Sequence, residues 1–86
     1  MGLKCNGFVV RKQKSRWGWC DLRTGTLGFN LYLAFQPQKS VESVVVHELA
    51  HLKYRGHGKM FYSLVYRFMP DYKEWNKRLV MPALSD

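Results

Sequence analysis

Apolar and polar positions divide the chain into a first part with strand character and a second part with helix character. The segment NGFVVRKQKSRWGWCDL is extended in pattern, since strand-forming residues open it and basic and polar residues alternate after them. Thr24 and Gly25 form a plausible turn, which predicts that Trp17–Leu22 and Thr26–Phe35 pair as a hairpin. Gly28, inside the second arm, indicates a bulge or a close backbone approach.

The pattern changes to helical spacing after Pro37, which interrupts the strand segment. Ser40 is the predicted N-cap of a helix over Val41–Tyr54, and Glu42 lies in its first turn. Apolar residues of this helix cover more than one face, which predicts a central, largely buried helix. These residues are Val45, Leu49 and Leu52 in one row, and Val46 and Ala50 in another.

Two shorter helices follow. Helical spacing of apolar residues predicts one over Lys59–Met69, ended by Pro70. Asp71 is the predicted cap of the next, Tyr72–Val80, and Pro82 closes the fold. Strands first and helices afterwards predict an α+β fold, organised as one domain over residues 1–86. Within it, we expect residues 1–6 to lie outside the ordered part.

Charge and cysteine content narrow the class of protein. Fourteen Lys and Arg residues against six Asp and Glu residues give a net charge of +8, which favours anionic partners such as nucleic acid or nucleotides. The chain has two cysteines, Cys5 and Cys20, too few for a disulfide-dense scaffold. No signal peptide or membrane span is evident, so free thiols and a cytoplasmic location are expected.

The stretch HELAH, His47 to His51, carries the clearest chemistry. Two histidines four residues apart on a helix are separated by about 400° and roughly 6 Å along the axis, so they share a face. That spacing lets both imidazoles bind one zinc ion, and Glu48 beside them can take a proton from water whose pKa zinc lowers to about 7. The alternative is a buried helix with two incidental histidines and a surface glutamate.

His57 is the third candidate ligand, and it is the last of the three histidines in the chain. Six residues beyond His51, a continuing helix would carry it about 600° and 9 Å away, out of reach. Gly56 stands where a left-handed helix stop would turn the chain back. The other interpretation is that His57 is an exposed loop histidine, or caps the next helix, and is not a ligand. Catalytic zinc sites usually have three protein ligands, which favours ligation.

Four stretches together resemble the YgjP-like metallopeptidase domain, a relative of the SprT-like and WLM zincins. They are KSRWGWC, GFNLYLAFQP, VVVHELAHLKYRGHGKMFY and MPDYKEW, in the order of the family. The resemblance implies a minimal zincin fold, with a small N-terminal antiparallel sheet packed on the HExxH helix and two helices after it. It also implies zinc ligands at His47, His51 and His57, with Glu48 as catalytic base.

Two departures from the family pattern do not remove a ligand. Trp19 stands where the family usually has Ser, and Gly58 stands where it often has Ser. Longer members also carry an N-terminal region that this chain is expected to lack, together with any substrate-binding elements in it.

Other residues are candidates for binding. Asn30, Tyr54 and Tyr62 are possible contacts to substrate or to an oxyanion, although packing explains each of them as well. Lys12, Lys14 and Arg16 share the face of a predicted strand and could meet phosphate, or could only protect a sheet edge. Cys5 and Cys20 could be further metal ligands, but this hypothesis is less favoured because three histidines already complete a catalytic set.

These observations favour a zinc-dependent hydrolase, a peptidase by resemblance, acting on a peptide or protein. One alternative is a metal-dependent nucleotide pyrophosphohydrolase, although the chain has no glycine-rich phosphate loop and no carboxylate cluster for Mg²⁺. Another is a non-enzymatic, zinc-stabilised module that binds DNA through its basic residues. The sequence does not indicate the oligomeric state.

Overall fold

The computed structural model describes residues 5–80. Three strands come first: β1 (Phe8–Arg11), β2 (Gly18–Asp21) and β3 (Thr26–Asn30). A 3₁₀ helix (Leu31–Phe35) leads to α1 (Gln38–Ala50), α2 (Lys59–Phe68) and α3 (Tyr72–Asn76). This order confirms the predicted α+β fold with two helices after the HELAH helix. In the described part of the chain, no helix is long and apolar enough to span a membrane.

The sheet has the order β1-β3-β2 and is mixed. The predicted hairpin is confirmed, because β2 and β3 pair antiparallel with Trp19 opposite Gly28. The prediction of a fully antiparallel sheet is wrong, since β1 pairs parallel to β3. The loop of residues 12–17 leads from β1 at one edge of the sheet to β2 at the other edge. The hairpin then places β3 between them, so that β3 runs antiparallel to β2 and in the same direction as β1.

Gly28 is a site of close approach, the second of the two alternatives that the sequence indicated. A Cβ atom at Gly28 would lie 1.8 Å from Cε2 of Trp19, so the indole rests directly on the backbone of the neighbouring strand. Only glycine leaves room for this contact, and the aromatic ring in turn covers the gap that the missing side chain leaves.

The strand predicted to reach Phe35 ends at Asn30 instead. The side chain of Asn30 accepts a hydrogen bond from the Tyr32 amide at 3.0 Å, which starts the 3₁₀ helix. Its amide group donates to the carbonyl oxygens of Gln13 (3.0 Å) and Arg16 (2.8 Å). Asn30 thus fixes the end of β3 and the loop before β2 at one point.

Helix α1 begins two residues before the predicted N-cap. Pro37 occupies the cap position and makes no side-chain cap hydrogen bond. Ser40 is fully buried inside the helix and its hydroxyl donates to the Trp75 carbonyl oxygen at 2.8 Å. The role predicted for Ser40 is therefore wrong, because this hydroxyl joins α1 to α3 instead of capping α1.

The observed bounds of the last two helices are close to the predicted ones. Helix α2 ends one residue before Met69, and α3 ends at Asn76, four residues before Val80. Asp71 is at the N-cap of α3 without a side-chain cap bond, and instead pairs with Lys39 at 3.3 Å. The prediction for Pro82 and that for residues 1–4 lie outside the described residues. Asn6 belongs to the ordered part, since its amide bonds to the Gly25 carbonyl oxygen at 3.0 Å.

The core lies where α1, α2 and α3 meet. Its contiguous cluster consists of Ala50, Phe61, Val65, Met69 and Tyr72. Leu27, Leu33 and Val44 are buried outside this cluster. The opposite side of α1 is less covered than predicted: Val45 and Leu49 are half-buried and line an apolar groove of about 700 Å³ beneath β1 and β3. Phe8 (67% exposed) and Val10 (51% exposed) form the other wall of this groove.

Candidate metal centre

Three histidines converge at the end of α1. The Nε2 atom of His57 lies 2.9 Å from Nε2 of His51 and 3.1 Å from Nε2 of His47. Among the described residues, these three form the one group of His, Cys, Asp or Glu side chains whose possible ligand atoms all lie within 4.8 Å of each other. The chain therefore does turn so that the third histidine reaches the first two.

The turn is made differently from the prediction. Helix α1 ends at Ala50 and tightens into i→i+3 hydrogen bonds, with the amides of His51, Leu52 and Lys53 donating three residues back at 3.0–3.2 Å. Such tightening satisfies the last carbonyl groups of a helix without a left-handed residue. The positive φ predicted for Gly56 is wrong, because the glycines with positive φ in the described residues are Gly7 and Gly25.

Two of the three histidines have their outward-facing nitrogens occupied. Nδ1 of His51 lies 3.1 Å from the Tyr54 carbonyl oxygen, which can only accept, so this ring carries its hydrogen on Nδ1. Nδ1 of His47 lies 2.8 Å from the Tyr72 hydroxyl. A neutral imidazole protonated at Nδ1 presents a lone pair at Nε2, so His51 directs a lone pair into the cluster.

This arrangement fits a tetrahedral zinc site. Zn–N distances of roughly 2.0–2.1 Å place the ligand nitrogens of such a site about 3.3 Å apart. The observed separations of 2.9 and 3.1 Å require only a small outward movement of the rings. Three histidine ligands are also the set that leaves a fourth position open in catalytic zinc sites.

The Phe61 ring packs against all three histidine rings. Its ring centroid lies 5.0 Å from His47, 4.6 Å from His51 and 5.0 Å from His57, and the residue is 1% exposed. Burial, and then the two neighbouring histidines, lower the pKa of His47 to about 4. His47 is therefore neutral at physiological pH, the state in which it can bind a metal.

Glu48 lies against the backbone of β2. It is 6% exposed, and burial raises the pKa of its carboxyl to about 7, opposed by the nearby Arg16 guanidinium. A Cβ atom at Gly18 would lie 3.0 Å from the Glu48 Oε2 and 2.9 Å from Val44 Cγ1. Glycine at this position lets α1 and its carboxylate approach the strand closely. A carboxyl group with a pKa near 7 is suited to accept a proton at neutral pH.

The histidines and Glu48 face a cleft of about 310 Å³. Its opposite wall is β2, with Gly18, Trp19 and Cys20, and Arg55 stands at its rim. Cys20 lines the cleft but does not belong to the converging group, and the exposed Cys5 donates to the Gly7 carbonyl oxygen at 3.1 Å. The structure therefore gives no support to the cysteines as further ligands.

The other predicted contacts are placed as follows. Asn30 is 1% exposed with its amide bonded to backbone, which supports the alternative interpretation that it acts in the fold, and a substrate contact stays a prediction. Tyr54 contributes its main-chain oxygen to the site and packs its half-buried ring beside the core. Tyr62 is near the cluster, with its ring 6.2 Å from that of His57, and a role for its hydroxyl stays a prediction.

The basic residues do not share a strand face, because β1 ends at Arg11 and residues 12–17 form a loop. Lys12, Lys14 and Arg16 are all exposed. Lys12 lies over the Tyr32 ring at 6.0 Å, and Arg16 stacks on Trp19 at 4.6 Å. Of the three, Arg16 is the one that lies near Glu48, and an anion-binding role for the set stays a prediction.

Two residues of the site were not identified from the sequence. Tyr72 and Phe61 contact the histidines from α3 and α2, 25 and 14 residues after His47. Phe61 follows His57 by only four residues across the start of α2, and this short separation was the available signal for the contact. No local pattern indicates Tyr72, because its contact depends on how α3 packs on α1.

Two solved structures that share this fold are metallopeptidase zymogens. Abylysin from Pyrococcus abyssi superposes with a TM-score of 0.77 at 24% identity, over 87% of this chain and 76% of that one. Jannalysin from Methanocaldococcus jannaschii superposes with a TM-score of 0.71 at 20% identity, over 90% of this chain and 78% of that one. At these identities the similarity establishes the fold.

A curated relative is the UTP pyrophosphatase of Escherichia coli (strain K12). It is 43% identical over 51 residues, a match that covers 57% of this chain and 30% of that protein. The sequence profile of the YgjP-like family, described as its metallopeptidase domain, matches residues 1–81, nearly the whole chain. The chain therefore belongs to the YgjP-like family, as its metallopeptidase domain.

Proposed function

We propose that this domain is a zinc-dependent hydrolase that cleaves peptide bonds. The observation that carries the proposal is the convergence of three histidine Nε2 atoms beside Glu48, whose buried carboxyl has a pKa of about 7. His47, His51 and His57 hold the metal, and Glu48 is the general base. A zinc ion bound there acts as a Lewis acid toward a carbonyl oxygen and lowers the pKa of water.

The residues around the metal have separate tasks. The histidine rings are held by Phe61 on one side and by hydrogen bonds at the outward nitrogens of His47 and His51. Glu48 accepts a proton from the attacking water and can return it to the leaving amine, because its carboxyl group lines the same cleft as the three histidines.

Strand β2 offers a way to orient an extended peptide. In the described residues it is an edge strand, paired on one side with β3, and it forms one wall of the cleft that contains the histidines. A peptide that adds to such an edge gains main-chain hydrogen bonds independent of its side chains. Glu48 and the metal ligands would then lie beside one of its peptide bonds.

Glu48→Gln tests the proposal. The amide keeps the size of the side chain but cannot accept the proton, so hydrolysis of a casein or peptide substrate by the zinc-loaded protein should fall about 100-fold or more. Zinc content should stay that of the wild type. Glu42→Gln, at an exposed residue of the same helix, controls for the loss of one negative charge. Undiminished hydrolysis in Glu48→Gln would overturn the mechanism.

A second candidate function is hydrolysis of a nucleoside triphosphate to the monophosphate and pyrophosphate. It is favoured by the 43% identity with a UTP pyrophosphatase and by two arginines, Arg55 lining the cleft and Arg16 stacked on Trp19, which also lines it. Guanidinium groups there could bind phosphate oxygens in a bidentate manner. Assays of pyrophosphate release from UTP, run beside the peptide assay with both glutamate variants, distinguish the two. The DNA-binding alternative stays a prediction.

A further inference from the structure

A buried hydroxyl group stands against the outer nitrogen of the first histidine. The Tyr72 Oη atom lies 2.8 Å from Nδ1 of His47, and Tyr72 is 6% exposed in the core where α3 meets α1. Its ring lies 6.1 Å from the His47 imidazole and nearly parallel to it, with 22° between the planes. Tyr72 takes no part in the proton transfers proposed above.

The hydrogen bond bears on metal binding through the tautomer of His47. Its Nε2 atom can bind a metal only with the lone pair free, and the neutral ring then carries its hydrogen on Nδ1. That hydrogen needs an acceptor, and the Tyr72 oxygen is in position to accept it. The Nδ1 hydrogen of His51 is accepted by a main-chain carbonyl oxygen, whereas that of His47 depends on one side chain from α3, which is distant in sequence.

The position of the hydroxyl is fixed by the packing of α3. Ser40 donates to the Trp75 carbonyl oxygen at 2.8 Å, and the Asn76 amide donates to the Ser43 hydroxyl at 3.2 Å. Both bonds join α1 to the end of α3, the short helix that begins at Tyr72. The Tyr72 ring is further held by Tyr66 and Tyr62, with centroids 5.7 and 6.5 Å away. Because α3 is tied to α1 at these points, the oxygen is presented to His47 before any metal binds.

We propose that Tyr72 is a positioning residue of the metal centre: its hydroxyl holds the His47 ring in the tautomer and orientation that direct Nε2 toward the metal. Helix α3 thereby contributes to metal affinity without supplying a ligand. The inference rests on the metal site proposed above. Outer-shell partners of histidine ligands raise metal affinity by about 10- to 100-fold when present, which sets the expected size of the effect.

The test compares Tyr72→Phe with Tyr66→Phe. Both remove one hydroxyl and keep the ring, and Tyr66 contacts the Tyr72 ring without a hydrogen bond to a histidine in the described structure. Zinc dissociation constants would be measured by competition with a chromophoric chelator, and melting temperatures of the zinc-free proteins alongside. We expect Tyr72→Phe to bind zinc about 10- to 100-fold more weakly and Tyr66→Phe to bind within about twofold of the wild type.

A second comparison separates positioning from packing. In a His47→Ala background the hydroxyl has no imidazole to orient, so adding Tyr72→Phe should leave the remaining zinc affinity unchanged. A further loss there, or equal affinities of Tyr72→Phe and wild type, would overturn the positioning role. If the wild type itself does not bind zinc, the proposed metal site fails and this inference fails with it, whereas normal wild-type binding with a silent Tyr72→Phe rejects the inference alone.

Discussion

Burial shifts the pKa values of two adjacent residues at the centre of the site in opposite directions. It lowers the pKa of His47 to about 4 and raises the pKa of Glu48 to about 7, because in each case it disfavours the charged form. Both residues are thereby biased toward neutral forms near pH 6. A neutral histidine can bind a metal, and a carboxyl group with a pKa near neutrality can both accept and release a proton.

The shift at Glu48 predicts a pH-dependent stability of the zinc-free domain. Between pH 4.5, its ordinary pKa, and about 7, the folded domain retains a proton that the unfolded chain has lost. The free energy of unfolding contributed by Glu48 therefore falls as pH rises through this window. Glu48→Gln has no carboxyl group to lose a proton at this position, so its free energy of unfolding should increasingly exceed that of the wild type from about pH 4.5 to 7.

Urea unfolding in the presence of a chelator measures this difference at each pH. His47 contributes in the opposite direction, since its lowered pKa makes stability rise between pH 4 and 6.5, but it does so equally in both proteins. Glu42→Gln controls for the loss of a negative charge at an exposed position of α1. A difference between Glu48→Gln and wild type that does not change with pH would show that Glu48 is not perturbed.

At the scale of single residues, the sequence predicted those whose role is set by local spacing. The HELAH helix places His47 and Glu48 by its own geometry, and Gly28 was identified as a close approach because glycine is otherwise unfavourable in a strand. The observed partners of Asn30, Gln13 and Arg16, were not indicated by the sequence, because they are 14–17 residues away along the chain. Tyr72 escaped detection for the same physical reason.

The element that decides whether the third histidine reaches the others is the segment between α1 and α2. The sequence correctly predicted that this segment turns, but the predicted left-handed stop at Gly56 was wrong. Helix α1 stops at Ala50, four residues before the predicted end, and its last turn tightens instead of ending at a left-handed glycine. Gly56 and Gly58 both leave open space where a Cβ atom would stand.

Gly56→Ala should therefore be tolerated. With no positive φ at Gly56 and nothing within 4 Å of the added methyl group, the substitution should raise the free energy of unfolding by about 0.4–1 kcal/mol, because it restricts the unfolded chain. Zinc affinity should remain within about twofold of wild type. Chemical unfolding and chelator competition measure the two quantities.

Gly25→Ala is the matched control, since Gly25 has a φ of 73° and alanine there costs about 1 kcal/mol or more. If Gly56→Ala were as destabilising as Gly25→Ala, the turn before His57 would depend on a left-handed glycine after all.

The direction of β1 was also not predictable from local pattern. Alternation of residues indicates a strand, but parallel or antiparallel pairing depends on the path of the Lys12–Trp17 loop.

In the whole molecule, the core lies on one side of α1 and the metal site at the end of the same helix. The core residues Phe61 and Tyr72 also contact the histidines, so α2 and α3 support the site as well as the fold. A small domain with a modest core gains stability from any ligand that binds only its folded state. A zinc ion bound to His47, His51 and His57 would join α1 to the segment leading into α2.

The most direct test of the three-histidine site is zinc content and zinc affinity of the wild type and His57→Ala. We predict about one zinc per chain in the wild type. His57→Ala should weaken zinc binding by more than the roughly 10- to 100-fold expected for loss of an outer hydrogen-bond partner. Lys59→Ala, at a nearby exposed residue, should match the wild type. Full retention of zinc with unchanged affinity in His57→Ala would show that the third histidine is not a ligand and would contradict the account.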